Sequence, residues 1–340
     1  MIKNNPHRIL ISRTDNIGDV ILTLPMAGII KKYFPDSIIY FLGKKYTEPI
    51  IKLSKHIDHF LNWDEIKINQ PEKFLQDLSI NTFIHVFPNK EIAQVAKKAK
   101  IKNRIGTSHR IYHWWTCNQL VNVGRKKSNL HEAQLNIQLL SPLSIPANFQ
   151  LEELVSFYGF PISYKINESI QSYIDPNKYN FIFHAKSNLS AREWPALHYL
   201  ELAKLLDPTQ FAILITGTSK EKEIFEKECP AIFQLSHVKS TMGKFSLDEL
   251  IQLIQATDGL IAASTGPLHL AAAFGKIAIG LYPSMRPVHP ERWKPIGVKA
   301  IFLESKNYCN TCKNKEACDC LEAIHPTDVQ VIIKKTLQVS

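Results

Sequence analysis

Short apolar runs alternate with segments of helical hydrophobic periodicity along most of the chain. The apolar runs predict strands at residues 8–12, 37–42, 81–87, 180–184, 211–216, 259–263 and 278–281. The periodic segments predict helices at residues 20–33, 90–100, 196–206, 247–255, 267–274 and 327–337. This alternation is typical of an α/β fold in which helices cover both faces of a parallel sheet.

The alternation is interrupted after Phe160 by a polar segment with prolines and few periodic apolar positions. We interpret this segment as the connection between two Rossmann-like, doubly wound domains, at residues 1–170 and 171–325. Residues 326–340 are predicted to form a helix that packs back across the cleft between the domains. Because ligands of such sheets bind at the carboxyl ends of the strands, we expect the functional site in that cleft.

The composition is that of an ordinary globular protein, with 45% apolar and 21% charged residues. A chain of 340 residues is long for one compact core and suits two domains. No window has the roughly 18 consecutive apolar residues that a membrane-spanning helix needs, and the first residues lack the layout of a signal peptide. We therefore expect the protein in the cytoplasm.

The formal net charge of +10 is unevenly distributed, because residues 1–170 contain 22 Lys and Arg against 14 Asp and Glu. A basic first half predicts an anionic partner, which could be nucleic acid, a phosphorylated glycolipid or an anionic membrane face. The sequence contains no recognised nucleic-acid-binding module, so we do not expect nucleic acid to be that partner.

The segment RTDNIGD at residues 13–19 directly follows the first predicted strand and precedes a helix. Gly18 permits a tight turn, and the free amide groups of the helix start carry partial positive charge. A carboxylate at this edge of the sheet can take a proton from a substrate hydroxyl, and Asp19 is our candidate for such a general base. The alternative is that Asp15 or Asp19 simply caps the helix.

A second motif, STGPLH at residues 264–269, also lies between a predicted strand and a helix. Its hydroxyl residues, its glycine and Pro267 near the first turn expose backbone amides and hydroxyls to an anion such as a diphosphate. His269 lies where it could face the same anion. The alternative is an ordinary Ser/Thr cap followed by a histidine whose hydrogen bonds are satisfied within the protein.

A third motif, HAKSNLSAREWP at residues 184–195, again connects a strand to a helix. Ser187, Ser190 and Arg192 can donate to phosphate oxygens, and Arg192 can donate two parallel hydrogen bonds in place of a metal ion. The alternative is a solvated loop whose Trp194 anchors the helix to the core.

A fourth segment, TGTSKE at residues 216–221, follows another predicted strand. Glu221 could hold ribose hydroxyls, as acidic residues do after comparable strands. The alternative is a surface carboxylate.

Cations and aromatic residues are interleaved in the first half of the chain. Together they could bind a phosphorylated sugar or an anionic lipid leaflet. The candidate acceptor-binding residues are Lys98, Lys102, Arg104, Arg110 and Trp114. The alternative is a solvated helix face.

In this order and spacing, the motifs resemble glycosyltransferase family 9, which comprises the ADP-heptose:lipopolysaccharide heptosyltransferases and their relatives. The matching segments are ILISRTDNIGDVILTLP, HAKSNLSAREWP, ITGTSKEKE and ASTGPLHLAAAFGKIAIGLYPS, and the resemblance covers nearly the whole chain. It implies a GT-B fold, in which two Rossmann-like domains face each other across a cleft.

The resemblance also implies roles for individual residues. Asp19 would be the catalytic base. The implied contacts to the donor nucleotide and its diphosphate are Ser187, Arg192, Glu221, Lys244, Phe245, Thr265, Gly266 and His269, with Lys244 and Phe245 near the adenine. Ser264 stands where family members have an aspartate that contacts the donor sugar, so the identity of the sugar stays open. Arg192 stands where lysine is common.

Four of the six cysteines form the pattern C-x2-C-x5-C-x-C, at Cys309, Cys312, Cys318 and Cys320. The first pair has the usual spacing for zinc, whereas C-x-C is unusual in a structural zinc site. In glycosyltransferase family 9, which the motifs resemble, one branch binds iron through cysteines. The cluster could therefore hold a structural zinc or iron ion, or it could consist of thiols without a metal.

The predicted function is an inverting, metal-independent transfer of a sugar from a nucleotide diphosphate, without a cofactor. By resemblance, heptose would pass from ADP-heptose to a lipopolysaccharide core or a related cell-envelope glycan. The alternatives are a transferase for a different nucleotide sugar, a protein O-heptosyltransferase, a sugar-nucleotide epimerase, and a non-catalytic nucleotide- or metal-binding subunit. We also expect peripheral contact with the cytoplasmic face of the inner membrane.

Overall fold

The computed structural model describes residues 7–125, 128–162, 165–188, 191–305 and 319–339. The chain divides into two compact units, Met1–Pro161 and Ile162–Ser340. The division falls at the start of the polar segment after Phe160, nine residues before the boundary predicted between residues 170 and 171.

The first unit contains strands and helices in alternation. Its strands are β1 (Arg8–Ser12), β2 (Ile38–Gly43), β3 (His59–Asn62), β4 (Thr82–His85), β5 (Asn103–Thr107) and β6 (Gln119–Val121). Its α-helices are α1 (Ile17–Ile21), α2 (Pro25–Tyr33), α3 (Glu48–Ile51), α4 (Trp63–Ile66), α5 (Pro71–Asp77), α6 (Lys90–Lys98), α7 (His113–Thr116), α8 (Glu132–Gln138) and α9 (Leu151–Leu154). Short 3-10 helices cover Lys45–Thr47, Ser141–Leu143 and Val155–Phe157.

The second unit repeats this alternation. Its strands are β7 (Tyr179–His184), β8 (Phe211–Ile215), β9 (Val238–Ser240), β10 (Gly259–Ala262), β11 (Ile277–Tyr282) and β12 (Ala300–Glu304). Its α-helices are α10 (Glu168–Gln171), α11 (Ala196–Leu205), α12 (Ser219–Glu228), α13 (Leu247–Ala256), α14 (Gly266–Ala273), α15 (Pro290–Trp293), α16 (Asp319–Glu322) and α17 (Pro326–Leu337), and Pro230–Gln234 is a 3-10 helix.

Each unit has one sheet, and its strand order is that of a doubly wound fold. The orders are β3-β2-β1-β4-β5-β6 and β12-β11-β10-β7-β8-β9 among the described residues, and the recorded pairings are parallel. In both sheets the order reverses beside the first strand of the unit, so the loops there diverge and leave a crevice at the carboxyl edge. This confirms the predicted α/β class with two Rossmann-like sheets.

The central strands are continuous apolar runs because helices cover both faces of a parallel sheet. In β1, Ile9, Leu10 and Ile11 are at most 1% exposed. β1 pairs with β2 and β4 on either side, which places Ser12 opposite both Leu42 and His85. The loop after Ser12 therefore leaves from the crevice of the first sheet.

The helix predicted at residues 20–33 is divided into α1 and α2. Pro25 begins α2, since proline lacks an N–H group and is tolerated in the first turn of a helix. Within α2, a Cβ atom at Gly28 would lie 2.3 Å from the carbonyl oxygen of Phe157. A glycine is therefore required for α2 to lie against the neighbouring 3-10 helix.

The predicted helix near the C-terminus is present as α17. Its Val329 and Ile333 are fully buried in the core of the second unit, where α17 packs against α11. Packing of this helix back across the cleft stays a prediction. Among the described residues, each helix is too short or too polar to cross a lipid bilayer.

Candidate active site

The loop after β1 places a buried arginine among three carboxylates. Arg13 is 3% exposed, and its guanidinium binds Asp15 at 2.7 Å, Glu132 at 3.2 Å, and Asp19. A guanidinium offers five donors in a planar fork, so one side chain can bind all three groups. Glu132 begins α8 and is almost fully buried. The Arg13–Glu132 contact therefore joins the edge of the sheet to a helix that is distant in sequence.

A second arginine and an asparagine complete this network. Arg125 Nε donates to Glu132 at 3.1 Å, and Arg125 Nη2 donates to Asn136 Oδ1 at 2.9 Å. Asn136 lies one turn after Glu132 on α8, and its Oδ1 also accepts from Arg13 at 3.3 Å. We call this network the Arg13 cluster, comprising Arg13, Asp15, Asp19, Arg125, Glu132 and Asn136. Its formal charge is negative when all three carboxylates are ionised, because they outnumber the guanidiniums.

Burial and the charges of the Arg13 cluster together raise the pKa of Asp19. Burial raises the pKa of the Asp19 carboxyl to about 6, with Asp15 and Glu132 adding to the rise and Arg13 opposing it. Such a carboxyl is mainly ionised at neutral pH, yet it accepts a proton more readily than an ordinary aspartate. The side chain of Asp19 stays 15% exposed, so it is not fully sealed from solvent.

Helix α1 does not use the Asp19 carboxylate as its cap. Asn16 occupies the N-cap position, and Gly18 and Asp19 lie in the first turn. The Asp19 carboxylate binds Arg13 instead, as does that of Asp15. The capping alternative is therefore wrong for Asp19.

In the second unit, the motif after β10 leaves a hydroxyl unused at the start of a helix. Thr265 is the N-cap residue of α14, but its side chain makes no capping hydrogen bond. Its Oγ1 is buried and has no hydrogen-bond partner among the described residues. An unpaired buried polar group costs about 1–3 kcal/mol. Together with the free N–H groups of the helix start, this hydroxyl suits an anionic ligand.

The residues on either side of Thr265 differ in exposure. Ser264 is half-buried. Gly266 begins α14, and His269 lies in its first turn with only 2% exposed.

The loop after β7 gathers several donors around one carboxylate. Glu193 accepts from the backbone N–H of Ser187 at 2.7 Å and from Lys186 Nζ at 2.7 Å. The Ser187 hydroxyl lies 2.9 Å from Glu193 and 3.0 Å from the carbonyl of Ala191. Lys186 also pairs with Glu228 at 2.9 Å. An N–H, a hydroxyl and an ammonium that converge on one anion are donors of the kind that bind phosphate.

The remaining residues of this loop are placed as follows. Arg192 is half-buried, and Ser190 lies outside the described residues. Trp194 is 2% exposed, and its Nε1 donates to the carbonyl of Ile324 at 2.9 Å. Trp194 therefore anchors this end of the loop to the core, as suggested.

Glu221 follows β8, the strand next to β7, and lies at the same edge of the second sheet. It is 7% exposed, so the alternative of a surface carboxylate is wrong. Its carboxylate accepts from the N–H of Thr218 at 2.7 Å and forms a capping box at the start of α12. His184 Nδ1, at the end of β7, lies 2.8 Å from Thr216 Oγ1. Burial lowers the pKa of His184, whereas the nearby Glu221 and Glu193 raise it.

Lys244 and Phe245 follow β9 at the same edge of the sheet. The ring of Phe245 packs edge-on against Tyr173, with 5.2 Å between the centroids. Lys244 Nζ lies 5.4 Å from the centroid of the Tyr173 ring. The sequence indicated Lys244 and Phe245 but not Tyr173, which comes from the connecting segment before β7.

The proposed acceptor-binding residues differ in their exposure and in their contacts within the protein. Lys98 is exposed and pairs with Glu72 at 3.1 Å. Arg104 donates to the backbone carbonyls of Ile101 and Thr116, so two of its donors serve the fold. The side chains of Lys102, Arg110 and Trp114 are exposed.

The cysteine cluster falls mostly outside the described residues, which exclude Cys309, Cys312 and Cys318. Cys320 is described and is buried in the core of the second unit. Among the described residues, no group of three or more His, Cys, Asp or Glu is arranged to hold a metal ion. Metal binding by the four cysteines stays a prediction.

The family model for glycosyltransferase family 9 (heptosyltransferase) matches residues 89–321, which is more than half of the chain. The chain belongs to glycosyltransferase family 9. This confirms the family that the motifs indicated.

Known proteins align with most of this chain. A putative glycosyltransferase of Haemophilus influenzae is 26% identical over 303 residues, covering 85% of this chain and 86% of that protein. Lipopolysaccharide heptosyltransferase 1 of Campylobacter coli is 25% identical over 347 residues, covering 96% and 98%. The structure of Escherichia coli ADP-heptose lps heptosyltransferase II superposes with a TM-score of 0.75 at 17% identity, covering 98% of each chain. At this identity, the superposition shows the fold alone.

In this family 9 protein, sequence reasoning missed Arg125, Glu132 and Asn136. A signal was present, because Glu132 and Asn136 are polar residues one turn apart on α8, next to the apolar residues Ala133, Leu135 and Ile137. Such a pair on one helix face indicates a buried polar contact. Its partner, Arg13, lies more than 100 residues earlier, and no local pattern connects the two.

Proposed function

We propose that this family 9 protein is an inverting glycosyltransferase that moves heptose from ADP-heptose to a lipopolysaccharide core or a related cell-envelope glycan. Asp19 is the general base. The Arg13 cluster carries this proposal, because it fixes the Asp19 carboxylate at the ligand-binding edge of the first sheet. Burial and the neighbouring carboxylates raise the pKa of Asp19, which favours proton transfer from an acceptor hydroxyl.

The donor diphosphate binds at the edge of the second sheet in this proposal. The unused Thr265 hydroxyl and the N–H groups at the start of α14 contact the phosphates. Arg192 and Ser187 approach from the loop after β7, and Arg192 offsets the charge that develops on the leaving nucleoside diphosphate without a metal ion. Gly266 and His269 line the same helix start.

The nucleoside binds beside β8 and β9. Glu221 holds the ribose hydroxyls, and Lys244 and Phe245 lie near the adenine. The support for this assignment is the cluster of Tyr173, Phe245 and Lys244, which provides aromatic faces and a cation after a strand of the donor-binding sheet. A planar base stacks on such aromatic faces.

One observation favours a different nucleotide sugar as the second candidate. Ser264 stands where family members have an aspartate that contacts the donor sugar. A serine lacks the carboxylate that would accept hydrogen bonds from sugar hydroxyls. The donor sugar therefore has to be identified by offering ADP-heptose in parallel with other nucleotide sugars.

The acceptor is anionic in this proposal and binds the first unit. Its support is the excess of Lys and Arg in residues 1–170 and the exposure of Lys102, Arg110 and Lys98. Arg104 and Trp114 contribute to the same basic region. These cations attract a phosphorylated glycan by charge.

The proposal is tested with Asp19→Asn and Asp19→Ala in a nucleotide-release assay with donor and acceptor, alongside calorimetric titration with ADP. We expect turnover to fall about 10²- to 10⁴-fold, because general-base catalysis is lost. The affinity for ADP should stay unchanged. Asp36→Asn is the control, since Asp36 is an exposed aspartate of the same unit.

Three outcomes would contradict the proposal. Undiminished turnover by Asp19→Asn would remove the residue from the mechanism. Consumption of the donor without an acceptor would indicate an epimerase. Tight ADP binding by the wild-type protein without transfer from any offered donor would indicate a non-catalytic subunit. The anomeric configuration of the product, measured by NMR, tests inversion separately.

A further inference from the structure

Helix α7 and the turn before it expose three large apolar side chains. Ile111 is 77% exposed, Trp114 67% and Trp115 51%. The N–H of Trp114 donates to the carbonyl of Ile111 at 3.0 Å, so the helical turn extends back to Ile111. Residues three and four apart lie on the same side of such a turn. We call these three side chains the Ile111–Trp115 surface.

The opposite side of this short helix is anchored in the first unit. His113 and Thr116 are at most 1% exposed. His113 Nδ1 lies 3.0 Å from the carbonyl of Thr107, and Trp114 Nε1 donates to the carbonyl of Ser108 at 3.0 Å. The apolar side chains are therefore held outward by a fixed support.

The chain around this surface is strongly basic. Residues 92–131 contain nine Lys and Arg residues and no Asp or Glu. The cations are Lys97, Lys98, Lys100, Lys102, Arg104, Arg110, Arg125, Lys126 and Lys127. Lys98 pairs with Glu72 and Arg125 with Glu132, both outside this segment, and the remaining excess of positive charge favours an anionic partner.

Several of these cations are available to such a partner. Within the part of the chain that the structure describes, Lys97, Lys100, Lys102 and Arg110 are exposed and make no ion pair. Arg104 Nε donates to the carbonyl of Thr116 at 2.7 Å, which ties the end of α7 to the strand that begins beside Lys102. Cations and apolar side chains therefore occupy the same region of the first unit.

We propose that the Ile111–Trp115 surface docks the protein on an anionic lipid leaflet. Tryptophan favours the level of the lipid headgroups, where its ring is buried and its N–H stays near polar groups. The surrounding Lys and Arg residues attract anionic headgroups. A stable protein partner would need roughly 800 Å² of complementary surface on each side, far more than three side chains on one helical turn supply. A lipid leaflet is fluid, so its binding does not require a complementary surface of this size.

Binding to the leaflet is independent of Asp19 and of the donor, so it can fail or succeed without deciding the proposed function. The test uses the full chain with vesicles of phosphatidylglycerol and phosphatidylethanolamine, compared with vesicles of phosphatidylcholine alone. We expect co-sedimentation with the anionic vesicles only, and weaker binding as salt is added. Tryptophan fluorescence should shift to the blue, since Trp114 and Trp115 are exposed whereas Trp63 and Trp194 are buried.

Two variants separate the apolar and the electrostatic contributions. Replacing all three residues by serine (I111S, W114S and W115S together) should weaken partitioning at least about tenfold, because the inserted apolar area is lost. The matched control is Ile68→Ser, since Ile68 is 79% exposed and lies elsewhere on the same unit. Replacing Lys97, Lys100 and Lys102 by glutamine keeps the apolar side chains and should weaken binding about fivefold per cation.

Circular dichroism melting of each variant confirms that it is folded. The proposal is overturned if the wild-type protein does not bind anionic vesicles at low salt. Equal binding of the triple serine variant and the wild type would remove the Ile111–Trp115 surface from the contact. Equal binding to phosphatidylcholine would show that the cations do not select the leaflet.

Discussion

Arg13 donates to the carboxylate of Asp19 while its other donors bind Asp15 and Glu132. Asp19 therefore shares its cation with two competing carboxylates. Arg13 alone would hold the pKa of Asp19 below its usual range, but burial and the two neighbouring anions outweigh it. The basicity of Asp19 thus depends on its burial and on three side chains that the fold brings together.

The pH dependence of turnover should report this balance. We expect kcat/KM to rise with pH through about 6, because Asp19 must lose its proton before it can act as a base. Asp15→Asn removes a negative neighbour, so it favours the ionised form of Asp19 and should move this rise to lower pH. Asp64→Asn is the control, since Asp64 is an exposed partner of Lys67. A rise at the same pH in Asp15→Asn and the wild type would show that Asp15 does not set the pKa of Asp19.

Glu132 should contribute strongly to stability. Glu132→Ala leaves Arg13 and Arg125 with unpaired donors at a buried site, and we expect a loss of about 3–5 kcal/mol in the free energy of unfolding. Glu132→Gln keeps an acceptor for these arginines and should cost less. Urea denaturation measures both values. Glu72→Gln removes only an exposed partner of Lys98 and should change stability by less than about 1 kcal/mol. Equal effects at positions 132 and 72 would contradict the structural role of the cluster.

Thr265→Val should separate stability from ligand binding. Because the Thr265 hydroxyl is buried without a partner among the described residues, its removal should leave the protein as stable as the wild type or more so. The same change should weaken ADP binding about 5- to 10-fold, since about 1 kcal/mol of hydrogen bonding to phosphate is lost. Thermal melting and calorimetric titration provide the two measurements.

The matched control for this variant is Thr257→Val. The hydroxyl of Thr257 is also buried but donates to the carbonyl of Ile254 at 3.1 Å. This change should lower stability without affecting ADP binding. Unchanged ADP affinity in Thr265→Val would argue against the proposed phosphate contact.

Phe245→Ala should weaken ADP binding about tenfold, because stacking of the base is worth roughly 1 kcal/mol or more. Phe302→Ala is the control. Phe302 also lies near a lysine, with Lys294 Nζ 5.4 Å from its ring centroid, but it belongs to β12. Titration with ADP, GDP and UDP measures both affinity and base preference. Equal losses for the two alanine variants would place the base elsewhere.

Local sequence patterns determined most of the central elements. The strand predicted at residues 8–12 has the observed bounds of β1, and the helix predicted at residues 247–255 differs from α13 by one residue. Such elements are recognisable because a buried strand or an amphipathic helix carries its apolar pattern within a short window. The edge strands β3, β6, β9 and β12 and the inner strand β5 were not predicted. β3, β5, β6 and β9 are short or carry polar residues, and β12 is partly exposed although its residues 300–303 are apolar.

The sequence by itself determined the family, the two-sheet fold and the position of Asp19, because these depend on ordered local motifs. Only the tertiary structure decided which groups surround Asp19. Glu132 reaches Arg13 through a contact between residues more than 100 positions apart, and Arg125 joins the cluster through Glu132. Electrostatic interactions depend on distance in space, not along the chain. Likewise, the unused Thr265 hydroxyl and the outward direction of Trp114 follow from packing, which no local pattern records.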